Sequence, residues 1–102
     1  MARGPDATTL LERALAAPLA AFGGTIVESD CVRWASATFV GARHRLVLAG
    51  DDGVAARDWL AALPEADWAL RGHLVADVRL VDRNAADSRF TATIEILTVE
   101  VD

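Results

Sequence analysis

Leu10, Leu11, Ala14, Leu15, Leu19 and Phe22 recur at three- and four-residue spacing, the stripe of an amphipathic helix. Asp6 or Thr8 stands where an N-cap belongs, and Gly23-Gly24 is a stop signal. Pro18 lacks an amide proton and is expected to kink or shorten the last turn. A shorter stripe of Ala55, Ala56, Trp59, Leu60 and Leu63 predicts a second helix over Val54 to Leu63. Gly50-Asp51-Asp52-Gly53 supplies a turn and an N-cap before that helix, and Pro64 ends it. Glu65 to Gly72 reads as a connector in which Trp68 and Leu70 pack.

Between and after the helices the period drops to two. Thr25 to Ser29 is a short strand candidate. Residues 34–40 and 43–49 alternate on either side of Gly41-Ala42, the pattern of a two-residue hairpin turn. That turn pairs Phe39 with His44 and Ala37 with Leu46. It also sorts Ala35, Ala37, Phe39, His44, Leu46 and Leu48 onto one face, and Trp34, Ser36, Thr38, Val40, Arg43, Arg45 and Val47 onto the other. His73 to Asp82 alternates, with Leu74, Ala76, Val78 and Leu80 opposite His73, Val75, Asp77, Arg79 and Val81. Residues 83–88 then form a loop, and Arg89 to Val101 returns with Phe90, Ala92, Ile94 and Ile96 on its core face.

Helices with one apolar stripe need a sheet to lie on, so the expected fold is α+β, a two-layer sandwich. An antiparallel sheet of four or five strands carries two helices on one face. The count depends on whether Thr25–Ser29 extends its neighbour or stands alone. With four strands the order α-β-β-α-β-β is similar to a permuted ferredoxin-like arrangement. Residues 1–6 read as a flexible terminus and 7–102 as a single domain.

Composition narrows the function classes. The 102 residues are 53% hydrophobic and 25% charged, which excludes a disordered tail. A formal net charge of −5, with ten arginines as the whole basic complement, argues against nucleic acid as a partner. Arg43-His44-Arg45 is too short to reverse that. Asp6, Glu12 and Arg13 break the first 21 residues as a signal peptide, and no apolar run is long enough for a membrane span. A lone Cys31 fits a reducing, cytoplasmic setting.

Residues 36–44, Ser-Ala-Thr-Phe-Val-Gly-Ala-Arg-His, and 72–77, Gly-His-Leu-Val-Ala-Asp, resemble segments of an uncharacterised family of small α-proteobacterial proteins. The resemblance spans most of the chain and implies no activity.

Candidate chemistry is sparse. His44 is expected at the rim of the core, bonded to a backbone carbonyl, and His73 on the opposite face. His73 and Asp77 cannot form a dyad within one strand, because four residues span ~13 Å and a base must sit ~3 Å from its orienting group. Histidines on opposite faces cannot share a metal, and Cys31 has no partner at zinc spacing. No cofactor is expected. The outer sheet face stands out, mixing Trp34, Leu97 and Val99 with Arg43, Arg45, Asp77, Arg79 and Glu95. So much apolar area calls for a cover. The expectation is a non-catalytic self-associating or binding domain, a homodimer through this face; the alternative is a small enzyme or anionic-ligand-binding protein, with Arg43, His44, Arg45, His73 and Asp77 forming a site at a subunit seam.

Overall fold

The computed structural model describes residues 6–101. Helix α1 (Ala7–Ala21) leads into strands β1 (Thr25–Ala35) and β2 (Val40–Asp51). Helix α2 (Val54–Ala62) and a 3-10 turn (Leu63–Glu65) follow, then β3 (His73–Ala86) and β4 (Arg89–Glu100). Of the terminus expected over residues 1–6, only Asp6 is among the described residues. Its carboxylate accepts from the Thr9 amide at 2.9 Å and caps α1. At the other end of the helix Gly23 adopts φ +60°. The Gly23 amide donates to the Ala20 carbonyl and the Gly24 amide to Leu19, closing the paired bonds of a Schellman stop. Pro18 does not shorten the helix, which runs on to Ala21.

The four strands form one antiparallel sheet in the order β1-β2-β4-β3. Thr25–Ser29 therefore extends β1, and there is no fifth strand among the described residues. The helices cover one face. Leu11, Leu15 and Leu19 of α1 and Ala56 and Leu60 of α2 meet Leu46, Leu48, Val78, Phe90, Ala92, Ile94 and Ile96 from the sheet. Leu63 and Leu70 complete this core, and Trp59 and Trp68 pack against it. Ala55 is exposed and does not belong to the α2 stripe.

Several sequence-based expectations are corrected here. The β1–β2 hairpin does not turn at Gly41-Ala42. It turns over residues 36–39, where the Ser36 amide donates to the Phe39 carbonyl at 2.7 Å and Ser36 Oγ accepts from the Phe39 amide at 3.0 Å. Trp34 pairs with Gly41, Val32 with Arg43 and Cys31 with His44, so the pairs built on the earlier turn do not form and Phe39 is exposed. Gly41 serves a close approach instead. A Cβ there would collide with the Thr98 carbonyl oxygen and stand 2.8 Å from Trp34 Cζ2. The face assigned to His44, Leu46 and Leu48 survives, since all three are buried under the helices.

Strand β3 is four residues longer than expected and ends in a two-residue turn at Asp87 (φ 55°) and Ser88 (φ 64°), replacing the 83–88 loop. Positive φ at both central residues is the primed turn geometry that matches strand twist. The aspartates before α2 do not cap it. Gly53 is the cap residue, with no side-chain bond, while Asp51 pairs with Arg89 at 2.8 Å and Asp52 with Arg57 at 3.4 Å.

The register shifts at Val27 in β1 and at Ala76 and Val81 in β3. Each bulge inserts one residue and reverses the alternation beyond it. Val75 therefore pairs with buried Thr98, and His73 lies on the helix-covered side with it. Leu74, expected inside, pairs with Val99 on the outer face and is 56% exposed.

Candidate functional site

The residues singled out from the sequence divide between the two sheet faces. Eight of them, Trp34, Arg43, Arg45, Asp77, Arg79, Glu95, Leu97 and Val99, lie on the uncovered face, where the register arranges them in rows across the strands. At one end Trp34, Gly41, Val99 and Leu74 form an apolar row from β1 to β3. Next come Val32, Arg43, Leu97 and Asp77, then Asp30, Arg45, Glu95 and Arg79, then Glu28, Val47, Thr93 and Asp82.

The third row alternates in charge, and three of its four members bond. Arg79 donates to Glu95 at 2.6 Å and Arg45 donates to the other Glu95 oxygen at 3.4 Å. The Arg79 hydrogen bond, helped by the nearby arginine charges, holds the Glu95 carboxyl below its ordinary range. The same bond raises Arg79. Arg43 makes no ion pair among the described residues, and a shallow trough of about 630 Å3 runs between these side chains and Val32 and Leu97.

His44 and His73 lie on the other face, so Arg43, His44, Arg45, His73 and Asp77 do not converge. His73 and Asp77 are separated by the bulge as well as by distance. The histidines share the helix side, contrary to expectation, with the Thr98–Val75 row between them. Among the described residues no three His, Cys, Asp or Glu side chains are grouped to hold a metal.

His44 is 2% exposed and its partner is a hydroxyl, not the backbone carbonyl expected. Nε2 lies 2.9 Å from Thr98 Oγ1, Nδ1 lies 3.4 Å from Thr8 Oγ1, and the Thr98 hydroxyl donates to the Ala42 carbonyl at 3.4 Å. The direction that uses every contact runs from the Thr8 hydroxyl to Nδ1, from Nε2–H to Thr98, and from Thr98 to Ala42. A neutral imidazole is required for that chain. Burial lowers the His44 pKa and keeps it neutral, with Asp6 opposing and His73 assisting.

Sequence reasoning missed what surrounds these histidines. Thr8, Cys31, Arg33, Arg71, Thr98 and Glu100 line a cavity of about 510 Å3 beside them at the start of α1. Cys31, paired with His44 across the strands, carried a signal only once the true register was known. The chain matches no family model, no curated protein and no solved structure. No helix among the described residues is long and apolar enough to cross a membrane.

Proposed function

We propose that this chain is a non-catalytic, self-associating module whose open sheet face is covered by the same face of a second copy. The observation that carries this reading is the row pattern of that face. A twofold axis parallel to the strands lays each row against itself reversed. Trp34 then meets the second copy's Leu74, and its ring, lying over Gly41, faces the second copy's Val99. In the charged row Asp30 faces the second copy's Arg79, and Arg45 faces its Glu95. Charges that alternate along one row become complementary when the row is reversed, while the fourth row sets Glu28 opposite the second copy's Asp82, a like-charge contact at the sheet edges that opposes the pairing.

The edges favour face-on-face over edge-on-edge pairing. Both edge strands, β1 and β3, carry bulges, a common device against edge addition. Four strands ~4.8 Å apart and four rows ~6.6 Å apart cover on the order of 500 Å2 per copy, which brings a pair to ~1,000 Å2, the floor for a biological interface and below the ~1,200–2,000 Å2 of stable ones. The strand order β1-β2-β4-β3, with β4 between the strands that α2 connects, supports a permuted ferredoxin-like reading. An exposed free thiol at Cys31 suits a reducing cytoplasm.

Light scattering over a wide range of protein concentration tests the proposal. A mass of two chains that persists on dilution is expected, and Leu97→Glu should give a folded monomer. A monomeric wild type, or a dimer indifferent to Leu97→Glu, would overturn it.

A further inference from the structure

We propose that the cavity bounded by the start of α1, the Leu70–His73 turn and the end of the sheet binds a small organic monocarboxylate. It lies on the opposite side of the sheet from the dimer face and does not depend on that assembly.

The argument counts which lining groups are already committed. Glu100 accepts from Arg33 at 3.0 Å. The Asp6 carboxylate accepts from the Thr9 amide at 2.9 Å. His44 is engaged with Thr98 and Thr8. Apart from the Cys31 thiol, two groups remain, both supplied by the 70–73 turn. Arg71 forms no ion pair among the described residues, and His73 Nδ1 is buried with no hydrogen-bond partner among them. A buried ring nitrogen without a partner is a standing demand for one. Arg71 lines the same cavity, and a guanidinium fork matches the two oxygens of a carboxylate.

Charge sets the ligand's valence. Arg33 and Arg71 balance Asp6 and Glu100 around the cavity, and both carboxylates already hold donors while Arg71 holds no acceptor. With those four charges in balance, a monoanion leaves the cavity one charge negative and a dianion two, so the lower charge is favoured beside the Asp6 and Glu100 carboxylates. The wall near the helix is made of small side chains, Ala7, Ala42 and Cys31, which leave space for a compact carbon body. About 510 Å3 is a volume suited to one such molecule.

Titration of the full chain with benzoate, followed by 1H–15N spectra of backbone amides and imidazole nitrogens, tests the site. Inorganic phosphate at the same pH serves as the dianionic comparison. Saturable shifts at Thr8, Gly72, Thr98 and the His73 ring are expected with benzoate and not with phosphate. Arg71→Ala, a change in an exposed turn, should weaken benzoate binding by at least about tenfold. Arg43→Ala, on the other face, should leave it unchanged.

Absence of saturable shifts, or binding that survives Arg71→Ala, would overturn the proposal. Phosphate binding with equal dependence on Arg71 would overturn the monocarboxylate assignment. Shifts confined to the Arg43–Arg45 side would place the ligand in the outer trough and overturn this cavity as its site. None of these results bears on the dimer, whose failure is read from mass alone.

Discussion

A single buried imidazole couples this fold to pH. His44 titrates near 6.5 in an unfolded chain, and burial lowers that value in the folded one. In the interval between the two values the unfolded chain binds more protons, so stability rises with pH there. The contribution is complete above about 6.5 and is lost as pH falls toward the folded value, with a slope of at most about 1.4 kcal/mol per pH unit. Urea unfolding between about pH 5 and pH 8 should show this slope, and His44→Leu should flatten it. Leucine leaves the Thr98 hydroxyl its bond to the Ala42 carbonyl, so the variant is expected to fold. The lowered carboxyl of Asp6 acts in a separate window. Its stabilisation is present above its unfolded value near 3.8 and disappears as pH falls below that.

Among the elements, the β3–β4 hairpin turn is where the chain holds the least comfortable backbone. Asp87 and Ser88 both occupy positive φ, which aspartate tolerates and serine does so less readily. The turn is held in place because the Asp52 amide donates to the Ser88 carbonyl at 2.9 Å. Ser88→Gly keeps that bond and removes the Cβ clash. It should raise stability by about 1 kcal/mol, visible as a Tm increase of roughly 4–8 °C. This turn also shows why parts of the fold were hidden in the sequence. Asp87-Ser88 lacks the glycine that announces a primed turn, while Gly41 looked like a turn glycine and in fact lets Trp34 lie across β2. The helices were legible because their stripes carry 3.6-residue periodicity. Strands β2 and β4 were legible because neither is the bulged member of a pair, so Arg43, Arg45, Glu95, Leu97 and Val99 fell on the correct face. Ala76 has no feature that marks it as an inserted residue, so the alternation places His73 beyond it on the wrong side. The cavity followed it out of sight, because Arg71, Glu100 and Thr8 meet only once His73 and its turn face α1.

For the whole molecule, the two proposals use opposite sheet faces, and the charged row is where the dimer reading is most exposed to test. Within one chain Arg79 and Glu95 already bond, so deleting Arg79 alone would confuse an internal pair with an intermolecular one. Asp30 makes no ion pair among the described residues, and it sits at the far end of the same row, on edge strand β1. With the axis parallel to the strands, Asp30 and Arg79 come together only between copies. Asp30→Arg places two arginines at each of two symmetry-related positions, and Arg79→Asp places aspartate against aspartate. Each single change should weaken the dimer, by roughly tenfold for a pair partly shielded from solvent. The double change restores opposite charges in exchanged places and should recover most of the lost affinity. Sedimentation equilibrium of the four proteins measures this coupling directly. Additive losses in the double variant would rule out the reversed-row geometry, even if a dimer of another arrangement formed. Raising the salt should shrink the coupling while leaving the Trp34–Leu74 row in place, since screening acts on the charges and not on apolar burial.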